Sequence, residues 1–226
     1  MDSLIGTIPD TWQATSLGAV CQVQAGPSRA AFGTAGSADT GLWMITPTCI
    51  QDGQLRDHGR IALSPERAKS ICNHRLRTDD IVLTRIGESR RHALVDATRC
   101  GYYLGGACIL LRPHPPGWPD EGPSVDARYL NHYLRLARVQ HWMADEVGGV
   151  AVPVMSATRL QTLPLVLPPT SVQQDVASAL DAFDAKIAAH QRILEATAEL
   201  RDALAPALFT GAIPTPTTTG HPPRPT

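Results

Sequence analysis

The chain has 226 residues, 43% of them apolar, and a formal net charge of −1 from 20 Lys/Arg against 21 Asp/Glu. That balance excludes a protein that coats nucleic acid by charge alone, and no apolar run approaches the roughly 18 residues of a membrane span. Five cysteines (Cys21, Cys49, Cys72, Cys100, Cys108) form no CxxC pair and no signal peptide precedes them, so reduced thiols and a cytoplasmic location are expected.

In chain order, residues 1–12 are a lead-in with a turn at Pro9-Asp10-Thr11-Trp12. Thr15 to Gln24 predicts a strand, or a short helix followed by a strand. Ala25-Gly26-Pro27-Ser28-Arg29 is a turn, because Gly and Pro punctuate there. Residues 30–41 are small and Gly-rich, a surface loop. Leu42 to Ile45 is a short buried strand stopped by Pro47, and Ile50 to Arg60 is polar and Gly-punctuated. Pro65 to Ile71 predicts a helical turn with Ser64 as its cap. Ile81 to Arg85 is a β-branched run behind the turn residues Asp79-Asp80, and His92 to Val95 is its returning strand. Cys100 to Leu104 and Ala107 to Arg112 are further strands. A Pro-rich loop, 113–124, leads to one helix from Asp126 to Met143, ended by Gly148-Gly149. Ser156 caps a last short helix before Leu163 to Leu167. The expected class is α+β: many short strands, few helices, and loops that carry the recognition residues.

The next element dominates. From Ser171 to about Leu204, apolar residues fall at Val172, Val176, Leu180, Phe183 and Ile187, close to a heptad seam. The seam continues through Leu194, drifts to Ile193 and Leu200, and returns at Leu204 and Leu208. Ser171 with Gln174 reads as a capping box, and Pro206 is expected to end or kink the helix. Such a helix is roughly 50 Å long at about 1.5 Å per residue. One small domain cannot cover that stripe and the sequence offers no second helix of similar length, so a second chain is the expected partner. The alternative is a helix folded back over its own domain. His190, Thr197 and Arg201 sit near the seam as register-setting or wetted edge positions. The expected organisation is a globular domain over 1–168, the helix over 169–213, and a disordered Pro/Thr-rich tail over 214–226.

Charge is uneven. Arg56 to Arg112 holds eleven Lys/Arg against six Asp/Glu, while Ser171 onward holds four against six. Only Lys69 and Lys186 are lysine; Arg suits planar, bidentate acceptors, although a GC-rich genome explains most of such a bias. Catalytic signals are sparse. There is no GxxxxGK(S/T) loop, no HExxH and no Cys/His set with zinc spacing, so no cofactor and no metal are expected. Leu167-Pro168-Pro169-Thr170 lacks the leading Asn/Asp and the aromatic of a methyltransferase tetrapeptide. His92 with Cys100 or Cys108 is a conceivable thiol and base, but inert buried cysteines are commoner. Asp79-Asp80 suits a turn better than a metal site. The basic loop says more: Arg85, Ser89, Arg90 and Arg91 surround Gly87 between two strands, where Arg can reach phosphates or base edges. A solvated hairpin tip is the plain alternative.

Several motifs together resemble one family, the DNA-specificity (S) subunits of Type I restriction–modification systems. They are Leu167-Pro168-Pro169 with Gln173, Leu180-Asp181-Ala182-Phe183-Asp184-Ala185-Lys186-Ile187, Leu200-Arg201-Asp202-Ala203-Leu204 and Thr210-Gly211-Ala212-Ile213. Upstream, Asp80-Ile81-Val82-Leu83-Thr84-Arg85-Ile86-Gly87 is similar to the family's Gly-Asp-Ile-Leu-x-(Ser/Thr)-Arg-x-Gly strand, and Gly148 to Leu160 to its Gly-rich loop and short helix. Val172 replaces the usual Glu, Asp79 the usual Gly and Ala212 the usual acid.

The resemblance implies a target-recognition domain followed by one conserved helix, where family members usually carry two such units. It implies double-stranded DNA as ligand and, as partners, a DNA adenine methyltransferase (modification) subunit and a restriction/translocase subunit. Catalysis would belong to those partners. Ser28, Arg29, Arg85, Ser89, Arg90 and Arg91 are the candidate DNA contacts. Val176, Leu180, Phe183, Ile187, Leu194, Leu200 and Leu204 are the candidate helix contacts, through which a homodimer would read a split inverted repeat. Two other classes stay open: a coiled-coil adaptor or inhibitor without DNA contact, and a Cys/His enzyme.

Overall fold

The computed structural model describes residues 2–4, 6–28, 36–51, 53–86, 91–118, 122–145 and 154–212. In chain order, β1 (Asp2–Ser3) and β2 (Gly6–Thr7) form a small antiparallel pair. Trp12 N–H donates to Pro9 O at 3.0 Å, closing the expected turn. β3 (Gln13–Ser16), a single turn α1 (Leu17–Val20) and β4 (Cys21–Ala25) follow. The stretch 15–24 is therefore strand, helical turn and strand in succession. β5 (Trp43–Ile45) is the expected short strand. The polar stretch after it holds a hairpin, β6 (Ile50–Gln51) and β7 (Gln54–Leu55), before β8 (Ile61–Ala62). α2 (Pro65–Ser70) is capped by Ser64, whose Oγ accepts from Arg67 N at 3.2 Å. Then come β9 (Ile81–Thr84), β10 (His92–Leu94), β11 (Tyr103–Leu104) and β12 (Cys108–Pro113).

The helix expected from Asp126 to Met143 is two, α3 (Ala127–Tyr133) and α4 (Ala137–Asp145). Arg135 N–H donates to His132 O and Leu136 N–H to Tyr133 O, three-residue bonds that tighten the chain into a turn. Gln140 Nε2 takes up Leu134 O at 2.6 Å, a carbonyl at the break. Leu134 and Val139 enter one core on either side of the bend, and the apolar step from Leu134 to Ala137 does not report it. α5 (Ala157–Gln161), capped by Ser156, and β13 (Pro164–Leu167) precede α6 (Thr170–Phe209).

Pro206 does not end α6, which continues through it. Proline removes one donor inside a helix, but here the following turn is locked. Thr210 N–H and Oγ1 both donate to Pro206 O, at 3.0 and 2.9 Å. The stop comes at Gly211, whose φ is 70°. Gly211 N–H donates to Leu208 O and Ala212 N–H to Ala207 O, the paired bonds of a Schellman ending. Expected elements at 30–35, 148–149 and 214–226 lie outside the described residues.

Two compact units result, Met1–Ser178 and Ala179–Thr226. The first is built on a four-stranded antiparallel sheet in the order β10-β9-β12-β4. Alternation divides its side chains between two faces. Ile81, Leu83, Ile109, Leu111 and Val23 point into a core with Leu130, Leu134, Val139 and Leu160 of the helices. Val82, Cys108 and Leu110 point the other way, against Ile45, Ile50, Leu55 and Leu104. β9 is buried along its whole length for that reason. The start of α6 is fastened to the same unit by Gln173, which is buried and accepts from Asp126 N at 2.8 Å. Its Nε2 donates to Pro168 O at 2.9 Å and to Ser124 O at 3.1 Å. In the second unit α6 continues as an unbroken helix, forming with the preceding domain the α+β class expected from sequence. Among the described residues no helix is long and apolar enough to cross a membrane.

Candidate nucleic-acid interface

Register places several of the candidate contacts at one end of the central sheet. His92, Leu83, Ile109 and Ala25 lie in one row across its four strands. With neighbouring strands about 4.8 Å apart, that row is roughly 14 Å wide. β9 and β4 both run antiparallel to β12, so they run parallel to each other and leave the sheet at the same end. Ser28 stands three residues beyond Ala25, Arg85 two beyond Leu83, and Arg91 one before His92. Ser28 and Arg91 are exposed and Arg85 is partly buried. Arg29, Ser89 and Arg90 lie outside the described residues.

The backbone around these positions is tight. Gly26 N–H donates to Cys108 O at 2.9 Å, and a Cβ on Gly26 would fall 1.9 Å from Gly105 O. Only glycine permits that approach, which fixes where Pro27 and Ser28 emerge. Arg85 N–H donates to Ala107 O at 2.8 Å and its carbonyl accepts from Met155 N at 2.8 Å. Ile86 bridges to Val154, so the segment before α5 borders the same end. Arg85 Nε is buried without a hydrogen-bond partner among the described residues. Arg91 differs: its Nη1 donates to Ile50 O at 3.0 Å, so part of its capacity ties β10 to the β6–β7 hairpin.

The enzyme alternative loses its dyad. His92 shares its row with Leu83, on the helix-packed face, and its Nε2 meets Asn131 O at 3.0 Å. Cys108 points to the opposite face. Burial pushes the Cys108 thiol up to about 12, with the neighbouring Cys49 adding to the rise, and pushes Cys21 to about 12. Neither is a ready thiolate at neutral pH. Cys100 sits on an exposed turn. Asp80 is committed elsewhere. It is buried, its two oxygens accept from Arg112 Nε and Nη2 at 2.7 Å each, and Oδ2 also accepts from Arg77 N at 2.6 Å. Among the described residues no group of three or more His, Cys, Asp or Glu could hold a metal ion.

The candidate helix contacts are laid out along α6. Val176 packs partly on the core of the first unit. Leu180, Phe183, Ile187, Leu194, Leu200 and Leu204 are exposed, Phe183 by 62% and Leu194 by 69%. Ile193, Leu208 and Phe209 are exposed as well. Thr197 Oγ1 donates to Ile193 O at 2.7 Å and His190 Nδ1 lies 2.8 Å from Lys186 O, so both polar edge residues turn back onto their own helix.

The family model described as the Type I restriction modification DNA specificity domain matches residues 9–198. The chain belongs to that family. Solved structures are similar in fold. A chain from a study of complex assembly and conformational transition of the type I R-M system aligns with a TM-score of 0.60 at 18% identity, over 88% of this chain and 45% of that one. The HsdS subunit from Thermoanaerobacter tengcongensis aligns with a TM-score of 0.57 at 17% identity, over 83% of this chain and 40% of that one. The Type-I restriction-modification system S subunit from M. genitalium gives 0.58 at 14% identity, over 93% and 49%. The chain thus spans less than half the length of each. No curated protein sequence matches it.

Within the family's patterns, two positions gain a physical reason. Asp79, where the family usually has Gly, has a φ of 67°, a left-handed position that glycine occupies without strain and that Asp tolerates. Gln173, quoted above only as part of a motif, is the side chain that joins three backbone groups at the root of α6. A polar residue one helical turn after a Pro-Pro break was the available signal for it.

Proposed function

We propose that the chain is a non-catalytic, sequence-specific DNA-binding subunit that directs a Type I modification methyltransferase, and its restriction partner, to a split site. Two copies pair through α6, and each supplies one recognition unit, so the site is an inverted repeat. The observation that carries this reading is the exposed stripe from Leu180 to Leu208, in a chain that also presents Ser28, Arg85 and Arg91 at one sheet end. The stripe runs roughly 42 Å at 1.5 Å per residue. A second helix of the same kind can bury it by knobs-into-holes packing. The net charge of −1 leaves much of the phosphate contact to the methyltransferase subunit.

The stripe alone would equally serve a coiled-coil adaptor. The gathering of Ser28, Arg85 and Arg91 at one sheet end favours DNA. Gel retardation with the cognate methyltransferase subunit separates the two readings. A complex that shifts one family of duplexes, and releases them steeply as salt rises, supports recognition. A complex that dimerises but shifts no duplex supports the adaptor. The cytoplasmic location follows from this role as part of the same proposal.

A further inference from the structure

Arg75, Arg77 and Arg112 lie 37 residues apart in sequence at their extremes, yet they line one cleft of about 370 Å3. The antiparallel bridge between Arg75 and Tyr103 brings Arg75 beside the Cys100–Gly101 turn, and Arg112 reaches it through its bond to Arg75 O. Arg112 is held in place: the buried Asp80 carboxylate takes its Nε and Nη2, and Nη2 also donates to Arg75 O at 3.0 Å. That pair is neutral. Arg75 and Arg77 are exposed, and among the described residues their guanidiniums make no ion pair or hydrogen bond. The guanidinium of Arg75 lies over Gly101: a Cβ there would stand 3.2 Å from Nη2. The cleft therefore presents two uncompensated cations beside a rigid third, with Asn73 as a further polar group.

We propose that this cleft holds a backbone phosphate of the bound duplex, as a clamp separate from the sheet end that carries Ser28, Arg85 and Arg91. The inference rests on the DNA-binding reading above. Guanidinium pairs match phosphate oxygens bidentately and carry no sequence information. Ala107, bonded to Arg85, and Arg112 are five residues apart on one strand, roughly 17 Å at 3.4 Å per residue. A duplex advances about 3.4 Å per step on each strand, so the two sites are about five steps apart along one DNA. The clamp would fix the register in which the loops meet the bases.

The test compares the full chain in complex with its methyltransferase subunit, unmodified and as Arg75→Ala plus Arg77→Ala. Duplex affinity is measured across a salt series on cognate and scrambled sequences. With the phosphate contact gone, the slope of log affinity against log salt becomes shallower by about 1. Affinity falls by the same factor, on the order of tenfold, for both sequences. An unchanged slope and affinity in the folded double variant overturns the clamp. So does weaker binding of the methyltransferase subunit with an unchanged slope, which assigns the cleft to a protein partner.

The cleft also carries its own reporter, since Cys72 and Cys100 line it and are exposed while the other three thiols are buried. Should the variant fail to fold, alkylation of the unmodified protein decides: saturating duplex slows labelling of Cys72 and Cys100 several-fold if the clamp exists, and leaves it unchanged if it does not. Failure of the unmodified complex to bind any duplex sinks the DNA-binding reading itself, a result distinguishable from loss of the clamp alone.

Discussion

Leu83 and Phe183 are both large apolar residues on regular elements, yet Leu83 is wholly buried and Phe183 is 62% exposed. Leu83 stands for the unit Met1–Ser178, whose sheet finds apolar partners on both faces within the chain. Phe183 stands for Ala179 onward, where a repeating stripe is exposed among the described residues. Periodicity marks both regions as built to bury a face. The first region's apolar residues hold its fold; under the proposal above, the second's serve assembly.

The largest effect is expected where that contrast is broken on the arm. Phe183→Asp plus Ile187→Asp places charges on the stripe. Burying each such side chain is worth about 1.5–3 kcal/mol, and a two-fold pair loses four of them. Self-association is expected to weaken by more than about 1,000-fold, read by sedimentation, while the circular dichroism of the sheet unit is retained. A two-copy complex that survives the double substitution would remove the stripe as the interface.

Next comes the ion pair of the buried Asp80 with Arg112 of β12. Asp80→Asn leaves Arg112 without its charged partner and is expected to cost about 3 kcal/mol in urea unfolding, without altering the arm. A loss under about 1 kcal/mol would mean that Arg112 simply turns to solvent.

At the reading end, Arg85→Ala is expected to cost about 1–3 kcal/mol in binding the cognate duplex and little on a scrambled one. An equal loss on both would make Arg85 a phosphate contact instead. Arg91→Ala is the less clean probe, because it also removes the bond to Ile50 O.

The root of α6 is sharpened by Gln173→Leu. Asp126 N–H, Ser124 O and Pro168 O lose their shared partner, for about 1–3 kcal/mol of stability. The smallest effect is Asp79→Gly, expected to be neutral or stabilising by up to about 1 kcal/mol, since φ is already positive there. A clear loss of stability would show that the Asp79 side chain matters more than its backbone.

Legibility in the sequence followed the range of the interactions. Strand β9 and the Ser64 and Ser156 caps are set by neighbours a few residues away, and their signals were local. The capping box expected from Ser171 and Gln174 does not mark the start of α6, which begins one residue earlier, at Thr170, and is tied down by Gln173 to Asp126 and Ser124. The break between α3 and α4 was not legible, because Tyr133, Leu134 and Ala137 keep helical spacing across it while the turn is made by backbone bonds. Pro206 misled for the converse reason. Proline weakens a helix, but a Gly four or more residues on, with its two reversed bonds, decides where the helix stops. The charge excess between Arg56 and Arg112 was countable, yet its division between one end of the sheet and a separate cleft depends on register. The bridge from Arg75 to Tyr103 and the pairing of Asp80 with Arg112 cross about 30 residues of sequence and leave no pattern in it.

The most direct measurement is a map of methylated adenines in cells that carry the cognate methyltransferase subunit, with and without this chain. A split motif whose halves are inverted repeats, present only with the chain and lost with the Phe183→Asp plus Ile187→Asp variant, is the expected result. An asymmetric split motif, or methylation indifferent to the chain, would contradict the two-fold recognition subunit.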